Sequence, residues 1–312
     1  MTDRFPPLLV VAGATATGKS GLAIEIAEGL VGEGTATEII SADSRQVYRG
    51  LDIGTAKVPL AEQHGIPHHG LDLVEPDAPF TVADFSAHAR EVLHGLAERG
   101  GLAILAGGTG LYLRAVARGL DTASLPSDPA VRADLEREAL ADGLEPLLDR
   151  LRTLAPSRAA TIDTANPRRV VRALEIATIL DGDQPLPEPR GYPGAVAWLG
   201  LQVEPGTHRA WIANRARAQF DAGLVEEARV LRERFDPSLP AFSAIGYREA
   251  WALIDRNLDR EAAITEDARR NVAFAKRQRT WFRSEPDIEW LDATDGATTS
   301  TALERARRLV SG

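Results

Sequence analysis

The chain has 312 residues and carries 45 acidic against 36 basic side chains, which gives a net charge of −9. It contains no cysteine, and this excludes disulfides, thiolate zinc sites and a cysteine nucleophile. No apolar run reaches about 20 residues and no secretory signal is visible, so we expect a cytoplasmic protein with no membrane partner. Taken alone, the acidic balance argues against a nucleic-acid partner.

Strands and helices alternate through the first third of the chain. Short apolar runs predict strands at 8–12, 38–42 and 102–106. Segments with apolar residues at helical spacing predict helices at 21–31 and 81–99. This alternation is typical of α/β proteins that are built around a parallel sheet.

The sequence changes character near residue 119. Charged helical segments occupy 129–181, and a Pro- and Gly-rich turn cluster follows at 182–194. A strand predicted at 198–203 returns to the sheet, and the remainder is mostly helical to about residue 283. The simplest arrangement is an α/β core that is interrupted by a helical insertion.

The segment GATATGKS follows the first predicted strand, opens the first predicted helix and fits the phosphate-loop pattern G-x-x-x-x-G-K-[ST]. Its glycines allow backbone N–H groups to face phosphate oxygens, and the helix N-terminus adds the positive end of its dipole. We expect Lys19 to reach the terminal phosphate and the Ser20 hydroxyl to ligate Mg²⁺. The motif predicts binding of a di- or triphosphate, and the positions of this loop are Gly13, Ala14, Thr15, Ala16, Thr17, Gly18, Lys19 and Ser20.

A second candidate for chemistry is an aspartate that follows a strand. In many P-loop proteins such an Asp holds Mg²⁺. The strand at 102–106 ends in Gly-Gly-Thr with no acid, whereas the strand at 38–42 ends at Asp43. Asp43 is therefore expected to be either a ligand near the metal or a general base, and an N-cap or turn aspartate is the alternative without chemistry.

Together these elements predict an α/β fold with a P-loop NTPase-like parallel-sheet core, a helical insertion domain and a helical C-terminal part. The core is predicted to comprise residues 1–118 and 198–312, and the insertion residues 119–197. The boundaries of such units are the least certain part of a prediction from sequence.

Four motifs in order along the chain resemble the tRNA dimethylallyltransferase family, also called tRNA isopentenyltransferase. After the phosphate loop come SADSRQVYRGLDIGTAK at 41–57, AGGTGLYLRA at 106–115 and FAKRQRTWFR at 274–283. The resemblance extends to the stretches HHGLDLVEP, RRVVRALE and AIGYREAW and covers nearly the whole chain.

The resemblance implies transfer of a dimethylallyl group from dimethylallyl diphosphate to the N6 amine of an adenosine in tRNA, with release of diphosphate. That adenosine lies 3′ of the anticodon, at position 37. The implied partners are tRNA, through its anticodon stem-loop, and dimethylallyl diphosphate. The implied cofactor is Mg²⁺, and a monomer is expected.

The family pattern also suggests roles for individual residues. Asp43 matches the general base, and Thr109 matches a position that contacts the target nucleotide. Lys57 matches a lysine near the substrates and Arg215 an arginine that assists the diphosphate, although Trp211 stands where a basic residue is expected. Both are therefore predicted, with the residues of the phosphate loop, to bind the diphosphate. The predicted catalytic residues are Asp43, Thr109 and Lys19.

A local excess of positive charge predicts the surface for tRNA. Residues 265–283 carry a net charge of +4, and three cations seven residues apart share one helical face. Phe274 and Trp281 lie on the other side and are expected to pack on the core. A second arginine cluster falls in the insertion, which is expected to contact tRNA. The predicted tRNA-binding residues are Asp43, Ser44, Arg45, Gln46, Thr109, Arg168, Arg169, Arg172, Arg269, Lys276 and Arg283.

Three other functions fit parts of the sequence. A small-molecule kinase would use the same loop to bind ATP, which is a nucleotide-binding role. This chain has no acidic residue after Ala106, and that counts against a kinase. An adenylate prenyltransferase would act on free nucleotides and would not need the basic helix or the insertion. An RNA-binding protein with a relict loop would not need Lys19, Ser20 and Asp43 intact.

Overall fold

The computed structural model describes residues 5–122 and 124–311. The first four residues, part of the stretch in which no secretory signal is visible, lie outside it. All strand pairs in its six-stranded sheet are parallel, in the order β3-β2-β4-β1-β5-β6. The strands are β1 (Leu8–Gly13), β2 (Thr37–Ser41), β3 (His68–His69), β4 (Leu102–Gly107), β5 (Val196–Gln202) and β6 (Ile288–Asp292). The predicted parallel α/β class is confirmed.

Twelve helices are present in the part of the chain that the structure describes, besides two short 3₁₀ turns. The helices of the first 120 residues are α1 (Lys19–Gly32), α2 (Val82–Glu98) and α3 (Gly110–Ala117). Those of the middle segment are α4 (Pro129–Asp142), α5 (Glu145–Leu154), α6 (Pro156–Thr161) and α7 (Pro167–Ile179). The last are α8 (Pro205–Asp221), α9 (Leu224–Arg234), α10 (Tyr247–Ile254), α11 (Arg260–Arg283) and α12 (Thr298–Ser311).

Both faces of the sheet are buried, as expected when helices cover a parallel sheet on each side. Alternate residues of β1 enter different apolar clusters, since successive side chains of a strand point to opposite faces. Val10 packs with residues of α2 and α3, whereas Val11 packs with residues of α1 and α12. The apolar run that predicted this strand is therefore a strand buried on both sides.

The chain divides into two compact units, residues 1–120 with 190–312 and residues 121–189. Within the second unit, Leu147, Leu151 and Leu174 belong to one apolar cluster that joins α4, α5 and α7. Glu175 is fully buried there and accepts hydrogen bonds from Arg132 at 3.0 Å. No helix in the described residues is long and apolar enough to span a membrane.

Two strands and two helices were not predicted from the sequence, and α3 is the first of these helices. β3 has only two residues, too few for a periodic pattern, and β6 is an edge strand after the last predicted helix. α12 follows β6 and packs against α1. The C-terminal part is therefore mixed rather than only helical, and it completes one edge of the sheet.

Candidate active site

The phosphate loop connects β1, in the middle of the sheet, to α1. Gly18 precedes α1 with φ at +86°, a backbone conformation that glycine adopts without steric cost. Ala16 also has a positive φ of +59°, which is uncommon for a residue with a side chain. The loop therefore has the strained, inward-turned backbone that a phosphate-binding site requires.

Lys19 turns back over this loop. Its Nζ donates a hydrogen bond to the carbonyl oxygen of Ala14 at 2.7 Å. The pKa of Lys19 is lowered to about 8, because burial and, to a smaller extent, the charge of Arg215 outweigh the opposing effect of the Asp43 carboxylate. Arg215 and Asp43 thus both lie near enough to Lys19 to shift its pKa. The site therefore combines two cations, Lys19 and Arg215, with the carboxylate of Asp43.

The loops that carry Asp43 and Thr109 are adjacent because their strands are neighbours. Asp43 follows β2 and Thr109 follows β4, and the register pairs Ser41 with Ala106. The backbone N–H of Thr109 donates to the Ala42 carbonyl at 3.1 Å, and its hydroxyl accepts from the Ser44 N–H at 3.0 Å. The loops after β2 and β4 are therefore joined at the carboxyl edge of the sheet, where ligands of open α/β folds bind.

The polar residues after Asp43 are occupied by protein contacts. Asp43 Oδ1 accepts from the N–H of Arg45 at 2.8 Å, and the Arg45 guanidinium donates to the Pro240 carbonyl at 3.0 Å. The Gln46 amide accepts from the Ser41 hydroxyl at 2.7 Å. Arg45 and Gln46 were predicted to bind tRNA, and in this structure both side chains hold loops of the protein.

Arg215 projects from α8 toward the same site. It donates to the Asn271 Oδ1 at 3.2 Å, and burial lowers its pKa while the charges of Asp267 and Asp43 raise it. Asp267 itself is 0% exposed, and burial raises its pKa to about 6. Arg215 thus lies near enough to Lys19 to affect its pKa, α11 supplies polar groups that hold it, and its contact with the diphosphate stays a prediction.

Lys57 lies in a different setting. Its Nζ donates to the Tyr48 carbonyl at 2.7 Å, to Asp52 at 2.7 Å and to Asp72 at 2.5 Å. Its side chain is 6% exposed, and these three acceptors use all three ammonium hydrogens. Lys57 therefore fastens the 48–72 segment, and this geometry does not support its predicted contact with the diphosphate.

Two side chains that no sequence pattern singled out contact the phosphate loop directly. Gln278 of α11 accepts a hydrogen bond from the Thr15 N–H at 2.8 Å. His208 of α8 bonds the Thr15 carbonyl through Nε2 at 2.8 Å. Gln278 lies inside a quoted motif but nothing in the pattern singles it out, and a lone histidine in a predicted helix carries no signal.

The exposed face of α11 differs from the expected one. Lys276 and Arg283 are exposed and have no ion-pair partner within residues 5–122 and 124–311, whereas Arg269 pairs with Glu266 at 2.7 Å. Phe274 is 36% exposed, so the expectation that it packs on the core is wrong. The helix instead buries a face of mixed polarity, which comprises Ala263, Ile264, Asp267, Asn271, Ala275, Gln278 and Phe282.

The second arginine cluster lies at the start of α7. Arg168 and Arg169 are exposed. Arg172 donates to the Pro126 carbonyl at 2.9 Å and pairs with Glu175 at 2.8 Å. Two of these three arginines are thus available to an external anion, and the third holds the unit together.

A phosphate loop at the carboxyl edge of a parallel sheet, with an arginine and a carboxylate beside its lysine, defines a P-loop protein of the α/β class. The sequence model of the family described as IPP transferase matches residues 46–285. The tRNA dimethylallyltransferase of Parafrankia is 44% identical over an alignment of 312 positions that covers 99% of this chain and 94% of that protein.

Solved structures agree with this match. The full-length tRNA isopentenylpyrophosphate transferase of Bacillus halodurans is 34% identical, with a TM-score of 0.69 over 98% of this chain and 99% of that one. A eukaryotic dimethylallyltransferase that acts on tRNA shares the fold at 24% identity, with a TM-score of 0.76 over 97% of this chain and 77% of that one. The chain belongs to the tRNA dimethylallyltransferase family.

Proposed function

We propose that this protein transfers the dimethylallyl group of dimethylallyl diphosphate to the N6 amine of the adenosine at position 37 of tRNA, 3′ of the anticodon. The observation that carries the proposal is the grouping of Asp43, Arg215 and Lys19 at the phosphate loop. The printed names of the relatives support the same reaction. Lys19 and Arg215 suit a diphosphate, and Asp43 suits an amine.

The diphosphate is the leaving group, so catalysis needs positive charge where the negative charge develops. The backbone N–H groups of the loop, the Lys19 ammonium and the Arg215 guanidinium supply it. Because Lys19 is enclosed, its attraction to an anion is weakened by solvent less than that of a surface lysine. Beside its bond to the Ala14 carbonyl, the Lys19 ammonium has two more N–H donors, and these form charge-assisted bonds to the diphosphate.

Mg²⁺ fits this site only in the company of the substrate. No group of three His, Asp or Glu side chains that could hold a metal occurs in the described residues. Mg²⁺ is commonly bound through few protein groups together with substrate phosphates. The Ser20 hydroxyl, exposed in the first turn of α1, is the protein ligand of that kind. When bound, the ion would neutralise charge on the leaving diphosphate.

The exocyclic amine of adenine is a poor nucleophile, and Asp43 is positioned to help it. Only Oδ1 of Asp43 is hydrogen-bonded among the described residues, which leaves Oδ2 for the amine. The amine nitrogen attacks C1 of the dimethylallyl group, the C1–O bond breaks, and its electron pair leaves with the diphosphate. The amine proton passes to Asp43, which acts as general base. Thr109 lies beside Ser44 and can contact the target nucleotide.

The tRNA is held by exposed cations outside this site. Lys276 and Arg283 of α11 and Arg168 and Arg169 of α7 are available to backbone phosphates. Single-stranded loop bases are the usual targets of specific RNA recognition, because they can be splayed out. Moving the target base out of its stack costs a few kcal/mol.

One assay tests the proposal. The purified protein is mixed with labelled dimethylallyl diphosphate and Mg²⁺, with unmodified tRNA or AMP as acceptor, and an ATP reaction serves as the control. Label on tRNA at position 37 is the expected result. Label on AMP alone would indicate a free-nucleotide prenyltransferase, and ATP consumption without prenyl transfer would indicate a kinase. Either outcome would overturn the proposal.

A further inference from the structure

The Thr15 residue of the phosphate loop is held on both sides by side chains from distant parts of the chain. Its N–H donates to Gln278 Oε1 at 2.8 Å, and its carbonyl oxygen lies 2.8 Å from His208 Nε2. Gln278 is 7% exposed and His208 is 1% exposed. Two nearly buried side chains therefore engage both polar backbone groups of one loop residue.

The protonation state of His208 follows from its second contact. Arg279 Nη1 lies 3.0 Å from His208 Nδ1, and a guanidinium can only donate. Nδ1 therefore accepts, and the single ring proton is on Nε2, from which it is donated to the Thr15 carbonyl. Burial and the charges of Arg279, Lys19 and Arg215 lower the pKa of His208, which keeps the ring neutral. Gln278, His208 and Arg279 together form what we call the Thr15 clamp.

The Thr15 clamp determines where the neighbouring peptide groups point. In a trans peptide group the carbonyl and the N–H face opposite ways, and this loop contains no cis bond. Because the Thr15 N–H points to Gln278, the Ala14 carbonyl points the other way, where it accepts from Lys19 at 2.7 Å and Thr17 at 2.9 Å.

The same rule applies to the next peptide group. The Thr15 carbonyl points to His208, so the Ala16 N–H points away from it, and this N–H has no hydrogen-bond acceptor among the described residues. Ala16 adopts a positive φ of +59°, a strained conformation that persists only where the surroundings over-determine it. The Thr15 clamp supplies that constraint and leaves one N–H available for a phosphate oxygen.

Gln278 also reaches the loop that carries Thr109. Its Nε2 donates to the Gly108 carbonyl at 3.0 Å. A Cβ at Gly108 would lie 2.3 Å from that Nε2, so only glycine leaves room for the amide. One side chain thus links the phosphate loop, on β1, to the loop after β4 that bonds Ser44 beside Asp43.

We propose that Gln278 and His208, the latter oriented by Arg279, are positioning residues that hold the Ala16 N–H and Lys19 toward the diphosphate and keep the phosphate loop in register with the Thr109 loop. This inference rests on the function proposed above. It predicts that the Thr15 clamp acts on diphosphate binding and on turnover, and that it does not act on tRNA binding.

The test measures binding of inorganic diphosphate and of dimethylallyl diphosphate by calorimetry, with kcat and the KM for each substrate. Gln278→Met removes both amide bonds, and we expect the Kd for diphosphate to rise about tenfold and kcat to fall about tenfold. His208→Phe keeps the ring volume but removes the donor, and we expect a similar rise in Kd with a smaller effect on kcat. The KM for tRNA should stay within about twofold in both variants.

Controls separate positioning from a general loss of structure. His208→Gln places an amide N–H near the position of Nε2 and should restore diphosphate binding to within about threefold of wild type. Arg279→Ala removes only the group that orients the His208 ring, and it should raise the Kd for diphosphate by less than His208→Phe does. Arg209→Ala on α8 and Thr280→Ala on α11 alter exposed residues and should leave all constants unchanged.

Thermal denaturation establishes that each variant is folded at the assay temperature. Folded Gln278→Met and His208→Phe proteins with wild-type Kd for diphosphate would overturn the inference and leave the proposed function intact. A rise in the KM for tRNA equal to that for dimethylallyl diphosphate would also overturn it. Failure of the wild-type protein to bind diphosphate would instead overturn the proposed function itself.

Discussion

Two loops of this protein each carry one of its three lysines, and they use it in opposite ways. In the loop 13–20, Lys19 is enclosed, lies near the cationic Arg215, and has the Ala14 carbonyl as its one hydrogen-bond acceptor among the described residues. In the loop 51–57, Lys57 is enclosed just as much but bonds two carboxylates and a carbonyl. A lysine with free N–H donors can bind an anion, whereas a lysine whose three N–H donors all have acceptors stabilises its own loop.

Asp43 is the carboxylate that faces the first of these loops, and its removal is expected to have the largest effect. Asp43→Ala should lower kcat by about 10²–10⁴-fold, because the amine loses its proton acceptor. Binding of tRNA, measured by filter retention, should change little. Asp43→Asn is the matched control for shape, and it should be nearly as inactive. A large loss of tRNA affinity with normal turnover would contradict the assignment.

Lys57 should behave as a structural residue. Lys57→Met removes an ammonium whose two partners, Asp52 and Asp72, are about half exposed, so we expect a loss of about 1–2 kcal/mol in the free energy of unfolding. Denaturation with urea measures this loss. The kcat of the folded variant should stay within about twofold of wild type. A large fall in kcat without loss of stability would return Lys57 to the active site.

The pH dependence of binding should report on Lys19. Its pKa in the free protein is lowered to about 8, so the ammonium is present below that pH and is lost as the pH rises above it. A bound diphosphate raises the pKa of Lys19 again. The affinity for the diphosphate should therefore be constant below about pH 7 and fall up to about tenfold per pH unit above 8. Calorimetry from pH 7 to 9.5 measures the effect, and a flat profile would contradict it.

The smallest expected effect concerns the exposed cations of α11. Replacement of Lys276 and Arg283 by Ala should reduce the dependence of log Kd for tRNA on log salt by about two, since each is expected to contact one phosphate. Arg269→Ala is the matched control, because Arg269 already pairs with Glu266, and its slope should stay near wild type. If Arg269→Ala lowered the salt dependence as much as the double variant does, the two exposed cations would not be the ones that contact tRNA.

The same two loops differ in how well their roles could be predicted from the sequence. The phosphate loop was predictable because strand, glycine pattern and helix are adjacent in the chain, and Asp43 because it directly follows a buried strand. Lys57 lies in a family motif as Lys19 does, so the sequence did not distinguish the two lysines. Only the fold reveals that the Lys57 ammonium also bonds Asp72, which lies 15 residues further along the chain.

Other features depend on contacts that no local pattern encodes. His208 and Gln278 lie 193 and 263 residues from Thr15, and Phe274 is exposed because the buried face of α11, which includes Asp267, Asn271 and Gln278, lies elsewhere on the helix. The net charge of −9 argued against a nucleic-acid partner, but it describes the average surface. The cations that could meet tRNA are local to α11 and α7.

Calorimetric titration of dimethylallyl diphosphate into wild-type, Lys19→Met and Lys57→Met proteins tests the central claim most directly. The claim is that the loop 13–20 binds the prenyl diphosphate through Lys19. We expect the Lys19→Met Kd to rise by about 10²-fold or more, in the range that follows the loss of a charge-assisted contact to an anion. The Lys57→Met Kd should stay within about twofold of wild type. Equal losses in the two variants, or no loss in Lys19→Met, would contradict the account.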